Sequence, residues 1–368
     1  MRARDLGVRI GHGRPGRQNA ITDVPGVQVG HATIVRGDGP LRPGVGPVRT
    51  GVTVIVPHSG QIWAEPLFAG SHRLNGNGEL TGLEWVRESG TLTSPVAITN
   101  THSVGVVRDA LIAYEARARG PHELFWALPV VGETWDGMLN DVNGQHVRPE
   151  HVEEALAAAS DGPVPEGGVG GGTGMICHGF KGGIGTSSRI VGEDDGGYAV
   201  GVLVQANHGR RERLQVNGVR VGEAIPASVV PLPEEPAGSP QGSGSIIGVV
   251  ATDAPLIPTQ CVRLAQRVGL GVARTGGVGE HWSGDLFLAF STANRGIPAS
   301  ELSDTPARTV QLTMLSNTYI NALFDAVVEA TEESILNAML AAKTMTGRDG
   351  VTAHGLDPDR LLAALGGG

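Results

Sequence analysis

The chain has 368 residues, a formal net charge of −9, 57 glycines, 40% hydrophobic content and 4% aromatic residues. An acidic chain with no Lys/Arg block excludes nucleic acid as its main partner, because phosphate binding needs a basic face, and no apolar stretch approaches the roughly 18 residues that span a bilayer. The two cysteines, Cys177 and Cys261, form no CxxC pair, which argues against a disulfide framework or a zinc knuckle.

The start, Met1-Arg2-Ala3-Arg4-Asp5-Leu6-Gly7, lacks the apolar run of a signal peptide, so cytoplasm is the expected compartment. Residues 1–60 are glycine-punctuated and β-like. Within Ile21 to His31 apolar and polar residues alternate after the Pro25-Gly26 turn, and Val52 to Val56 predicts a strand. His31 and His58 have no second ligand at helical or strand spacing and are read as structural. Asn75 to Gly82 is a turn-rich loop that could line a pocket. A short strand at Val96–Thr99 precedes a helix with Val107, Ala110, Leu111 and Tyr114 on one face. His102 and Ser103, between them, have no acidic partner nearby in sequence.

The apolar run Leu128 to Val131 ends in Gly132-Glu133-Thr134-Trp135-Asp136-Gly137. Glu133 and Trp135 there read either as a turn or as a wall for a cationic group, with a carboxylate for charge and an indole for contact. A helix follows Pro149, with Val152, Ala155 and Leu156 inward. Residues 162–188 are the most glycine-dense, but Lys181 sits between Phe180 and Gly182, which breaks the phosphate-loop pattern. No helical pattern opens after Gly170-Gly171-Gly172, so no nucleotide is expected. Tyr198 to Asn207 is a strong strand, and Asn207 at its end could donate to an oxyanion or merely open a turn.

Residues 233–244 read as a flexible linker running into the apolar strand Ile246–Val250. The Gly244-Ser245 junction has two readings, a strand start or a self-cleavage point that leaves Ser245 as a new N-terminus. Leu270–Ala273 and Asp285–Thr292 predict further strands, and Ser283 and Asp285, two apart, would face one side of an extended backbone. Ile320 to Val328 predicts a helix. Thr331-Glu332-Glu333 reads as a cap for a second helix through Ile335, Leu336, Met339 and Leu340, and a tail helix opens at Asp357-Pro358.

Several segments together resemble the self-processing aminopeptidases typified by DmpA and the β-peptidyl aminopeptidases. They are Asn19 to Val27, Val131 to Gly137, Gln205 to Gly209, Gly244 to Ile247, Ser283 to Asn294 and Ala330 to Ile335, in that order over nearly the whole length. The resemblance implies a single peptidase domain over 1–368 with a four-layer α-β-β-α sandwich fold. It implies cleavage between Gly244 and Ser245, giving chains 1–244 and 245–368 that stay together, and assembly as homotetramers of these αβ units. By the same resemblance Ser245 is the nucleophile, Asn207 the oxyanion donor, Ser283 a second active-site serine and Asp285 the acid that orients it, where some relatives carry Glu. Glu133 holds the substrate's free amino group and Trp135 lines the pocket. The expected substrates are small peptides and amino-acid amides or esters with a free N-terminus, and no cofactor or metal is expected. Two other readings are an acyltransferase of the ornithine acetyltransferase type, whose new N-terminus is threonine, and a non-catalytic amine-binding protein.

Overall fold

Short runs rich in Val and Ile form most of the strands, as β-branched side chains favour on a pleated surface. The structure, a computed structural model of the chain, describes residues 1–234, 244–299 and 307–366. Strands β1 (Gln28–Arg36), β2 (Val48–Val56) and β3 (Leu67–Gly76) precede helix α1 (Leu83–Ser89). Strands β4 (Thr91–Leu92) and β5 (Val96–Asn100) lead to α2 (Val104–Arg119), β6 (Val130–Thr134) and α3 (Pro149–Ala157). The hairpin β7 (Ile176–Cys177) and β8 (Phe180–Lys181) is followed by β9 (Gly183–Ile190), β10 (Ala199–Asn207) and α4 (Val221–Ala224). Next come β11 (Gly244–Thr252), α5 (Pro258–Arg274), β12 (Ser283–Ser291) and α6 (Ile320–Ala341). The hairpin β13 (Met345–Thr346) and β14 (Thr352–Ala353) and helix α7 (Pro358–Gly366) close the chain.

Two sheets carry the fold, one in the order β1-β2-β5-β6 and one in the order β4-β3-β12-β11-β10-β9. Three apolar cores separate four layers. Val202, Ile246, Val250 and Phe287 pack on Leu264, Val268, Leu323 and Val327 of α5 and α6. The opposite face of that sheet, with Leu203, Ile247, Val249 and Leu288, meets Val29, Ile55, Ile98 and Val130 of the smaller sheet. Val52, Val54, Ala97 and Val131 then pack on Val107, Leu111, Val152 and Ala155 of α2 and α3. The order is α-β-β-α, as the resemblance implies. Close approach between layers is set in part by glycine: a Cβ on Gly185 in β9 would lie 1.9 Å from the Ser334 carbonyl oxygen of α6.

Two sequence expectations are corrected. Leu270–Ala273 is the last part of α5, not a strand. Helix α6 is one continuous element of 22 residues, with no cap at Thr331-Glu332-Glu333. Glu333 is instead fully buried, where it accepts from Arg4 at 2.9 Å, from Arg189 at 2.8 Å and from Asn19 at 2.5 Å. The alternation expected after Pro25-Gly26 is the start of β1 at Gln28, and Ile21–Asp23 before that turn is a 3₁₀ turn. Of the expected linker at 233–244, residues 235–243 lie outside the described residues.

Candidate active site

Ser245 is the second residue of β11, the central partner of β10 and β12. Register fixes its neighbours: Asn207 stands opposite it on β10 and Gly284 beside it on β12. Its side chain shares the inter-sheet face of Ile247 and Val249, because side chains alternate along a strand. The Ser245 hydroxyl oxygen accepts a hydrogen bond from the Gly284 N–H at 3.1 Å and is buried. Among the described residues it has no histidine or carboxylate partner. Only glycine fits at the preceding position, since a Cβ on Gly244 would lie 2.2 Å from the Asn207 carbonyl oxygen.

Asn207 ends β10, and its amide is held from both sides. Its Oδ1 accepts from the Ile176 N–H at 2.7 Å, and its Nδ2 donates to the Trp135 carbonyl at 2.9 Å. That assignment leaves one N–H of the amide unused. One turn of the alternation earlier, Gln205 reaches across to the smaller sheet, donating to the Thr99 carbonyl at 2.9 Å and to the Thr134 hydroxyl at 2.8 Å. The two sheets are thereby tied together next to the serine.

Ser283 and Asp285 are in direct contact, the hydroxyl donating to Oδ1 at 2.6 Å. They share the face of Phe287, which packs toward the helices, so they lie on the other side of the sheet from the Ser245 side chain. The Ile246 N–H also points at the Asp285 carboxylate, which places that carboxylate beneath the start of β11. Burial pushes the Asp285 carboxyl up to about 6, helped by the Glu280 charge and opposed by the hydrogen bonds from Ser283 and Ile246.

Glu133 comes from the edge strand of the other sheet. Its Oε1 accepts from the Glu79 N–H at 2.9 Å, and its Oε2 accepts from the Thr101 hydroxyl. Burial raises its carboxyl above the ordinary range, against those two bonds. Gly78 touches both this carboxylate and the serine strand pair: a Cβ there would lie 3.0 Å from both Glu133 Oε1 and Gly284 Cα. The Asn75–Gly82 loop thus lines the site. It is anchored by Asn75, whose Nδ2 donates to the carbonyls of Glu280 and Ser283 at 2.6 and 2.5 Å. Trp135, half-buried, contributes its carbonyl to Asn207, while its ring lies against Gly137.

The structure therefore brings Ser245, Asn207 and Glu133 around one point, with the Ser283–Asp285 pair behind the strand. Asp136 does not join Glu133. It is fully buried, accepts from Asn140 Nδ2 at 3.0 Å, and its carboxyl is pushed up to about 6 by burial. His31 bonds Thr53 at 2.9 Å and His58 bonds the Glu65 carbonyl at 2.9 Å, in keeping with structural roles. Sequence reading missed Thr101, Glu79, Ile176 and Gln205. Their parts depend on strand register and main-chain donors, which leave no local pattern.

The profile of peptidase family S58 matches residues 19–353. The chain belongs to that family. It is 47% identical over 371 residues to the β-peptidyl aminopeptidase BapA of Sphingosinicella microcystinivorans, covering 99% of this chain and 91% of that one. Its fold matches a Burkholderia β-aminopeptidase with a TM-score of 0.93 at 55% identity, over 100% of this chain and 99% of that chain. It also matches the L-aminopeptidase D-Ala-esterase/amidase of Ochrobactrum anthropi, described as a variant of the Ntn hydrolase fold. There the TM-score is 0.88 at 42% identity, over 100% and 98% of the two chains. The S58 chain is an aminopeptidase, a hydrolase. Hydrolysis is favoured over the acyltransferase and the non-catalytic readings. Among the described residues no helix is long and apolar enough to cross a membrane.

Proposed function

We propose that this S58 enzyme cuts itself between Gly244 and Ser245 and then hydrolyses the bond after a free N-terminal residue, with Ser245 as nucleophile. The observation that carries this is the convergence of the Ser245 hydroxyl, the spare Asn207 N–H and the Glu133 carboxylate at the head of one strand. In self-cleavage the Ser245 oxygen attacks the Gly244 carbonyl carbon, the amide C–N bond breaks, and the resulting ester is hydrolysed by water. The product has a free α-amino group on Ser245.

A serine hydroxyl needs a base, and an α-amino group with an ordinary pKa of about 7.7–8.0 is neutral in useful amounts near pH 8. The Ser283–Asp285 pair lies one residue further along, where the Asp285 carboxylate meets the Ile246 N–H. The pair would orient the α-amino group. In the catalytic cycle Ser245 attacks the substrate carbonyl, the oxyanion takes the Asn207 N–H, and an acyl-enzyme forms that water releases. Glu133 has one acceptor position spare on each oxygen for the substrate ammonium, and Trp135 would border the pocket. Substrates are small peptides and amino-acid amides or esters with a free amine. We include β-aminoacyl groups, because two of the similar proteins carry that activity in their names. Cytoplasmic location and assembly as a homotetramer of αβ units belong to the same reading, checked by fractionation and light scattering.

Denaturing electrophoresis should show two fragments, and sequencing of the smaller should start Ser245-Ile246-Ile247. Ser245→Ala should run as one inactive band. A wild-type chain that stays whole and fully active overturns the mechanism. Anilides of Gly, L-Ala, D-Ala and a β-homoamino acid then rank the substrate classes.

A further inference from the structure

The β7–β8 hairpin and the turn after β10 enclose three side chains that the proposed chemistry does not use: Cys177, His178 and His208. All three are buried, with relative exposures of 0%, 0% and 4%. One ligand-capable atom from each lies within 4.8 Å of the other two. Cys177 Sγ is 3.9 Å from His208 Nδ1, and the two rings meet edge to face with centroids 5.2 Å apart.

The hydrogen bonding is uneven in an informative way. His178 Nδ1 lies 3.1 Å from the Arg210 carbonyl, so that nitrogen carries the proton and donates, leaving a lone pair on Nε2. Among the described residues neither His178 Nε2 nor His208 Nε2 has a hydrogen-bond partner. Buried polar atoms are nearly always paired, so two orphaned imidazole nitrogens in one cluster call for an explanation. An imidazole that gives one N–H to a carbonyl and keeps the other nitrogen bare is the arrangement seen in metal-bound histidine. The backbone is also shaped around the cluster. His178 has φ +49° and its N–H donates to the His208 carbonyl at 2.8 Å, while a Cβ on Gly209 would lie 2.3 Å from the His178 ring.

We propose that Cys177, His178 and His208 form a binding site for a transition-metal ion of the zinc class, with one thiolate, two neutral imidazoles and a fourth position open. One sulfur and two nitrogens suit zinc rather than calcium or magnesium, which take oxygen ligands. Tetrahedral zinc, with Zn–S of about 2.3 Å and Zn–N of about 2.0–2.1 Å, sets ligand atoms roughly 3.5 Å apart. The cluster reaches that spacing by contracting by up to about 1.3 Å. As the sulfur–metal bond forms, the thiol proton leaves to solvent. The site needs none of the roles proposed for Ser245. It does touch Asn207, because Ile176, beside Cys177, holds the Asn207 amide and His208 follows it directly. A bound ion would clamp together the two segments that aim that amide.

The test uses the full chain produced in medium supplemented with cobalt, so that the buried site can fill during folding. One equivalent of cobalt per chain is expected, with a thiolate-to-cobalt charge-transfer band in the near ultraviolet that zinc supplementation replaces with one equivalent of zinc. The chain has two cysteines, so Cys261→Ser must keep the band and Cys177→Ser must lose it. If Cys177→Ser fails to fold, the wild-type and Cys261→Ser spectra still decide. No band in the wild-type protein, a band lost in Cys261→Ser, or adventitious substoichiometric metal only, overturns the proposal.

Discussion

Replacing Glu133 with Gln separates the amine site from the fold. Each Glu133 oxygen accepts one hydrogen bond from the protein, from the Glu79 N–H and the Thr101 hydroxyl, and keeps one position for the substrate ammonium. Glu133→Gln keeps the shape and removes the charge. Removing one partner of a buried, hydrogen-bonded charge pair costs about 2–5 kcal/mol, and taking 3 as the working figure gives roughly a 10²-fold loss in kcat/KM. The loss should be confined to substrates with a free amine. The assay is hydrolysis of an aminoacyl p-nitroanilide beside its N-acetyl counterpart, and the wild-type preference for the free amine should collapse by about that factor. Stability should move the other way. Burial raises the Glu133 carboxyl in the folded chain, so the unfolded chain ionises first as pH rises, and folding carries a penalty that is complete above the folded value. At pH 7–8 the amide lacks that penalty, so Glu133→Gln should melt no lower than wild type and should still be cut at Gly244–Ser245. An unchanged preference for free amines would refute the reasoning, and lost cleavage with a lower melting point would make Glu133 a structural residue.

Asn207→Ala removes the proposed oxyanion N–H, and kcat should fall by about 10²–10³ with KM little changed in single-turnover and steady-state assays. The Asp285 carboxyl, pushed up to about 6 by burial, gains its proton as pH falls through that value. Below the limb set by the α-amino base, a second and steeper loss of activity should therefore set in below about pH 6, and Asp285→Asn should be weaker at all pH and lack that second step in the pH–rate profile. Glu333→Ala should leave the fully buried Arg189 without its closest carboxylate. Breaking such a pair costs about 3–5 kcal/mol, seen as a melting point lower by about 4–6 °C for a chain of 368 residues.

Much of the fold was legible because its strands are short apolar runs bounded by glycine and polar turns. Ser283 and Asp285 were placed on one face from spacing alone, and the 2.6 Å contact between them agrees. The opposite face of Ser245 was not legible, since it depends on the parallel register that sets Ser245 beside Gly284. Leu270–Ala273 misled because four apolar or glycine residues fit a strand as well as a helix. Its helical partners Leu264, Ala265 and Val268 lie earlier in the chain. Thr331-Glu332-Glu333 misled because charged residues usually mark a helix end or a solvated face. Here Arg4 and Arg189, over 300 and 140 residues away, neutralise Glu333 inside the protein. The Cys177, His178 and His208 cluster escaped notice for the same reason, as the turn after β10 brings His208 back from about 30 residues downstream.

The position of β11 and β12 in the larger sheet bears on the order of events in the protein's life. In β4-β3-β12-β11-β10-β9 the two middle strands, apart from Gly244, belong to residues after the proposed cut, and the strands on both sides belong to residues before it. A cut at Gly244–Ser245 would leave the pairings of Ser245–Thr252 with β10 and β12 in place, so it would open no seam along which the pieces can part. It does change what refolding means. The intact chain assembles this interleaved sheet as a single molecule, whereas two separate pieces must meet in solution with β11 and β12 entering between strands that need them as neighbours. Under the proposed cleavage, folding would have to come first and cutting second, and the cut enzyme would be a product that its own fragments are poorly equipped to remake.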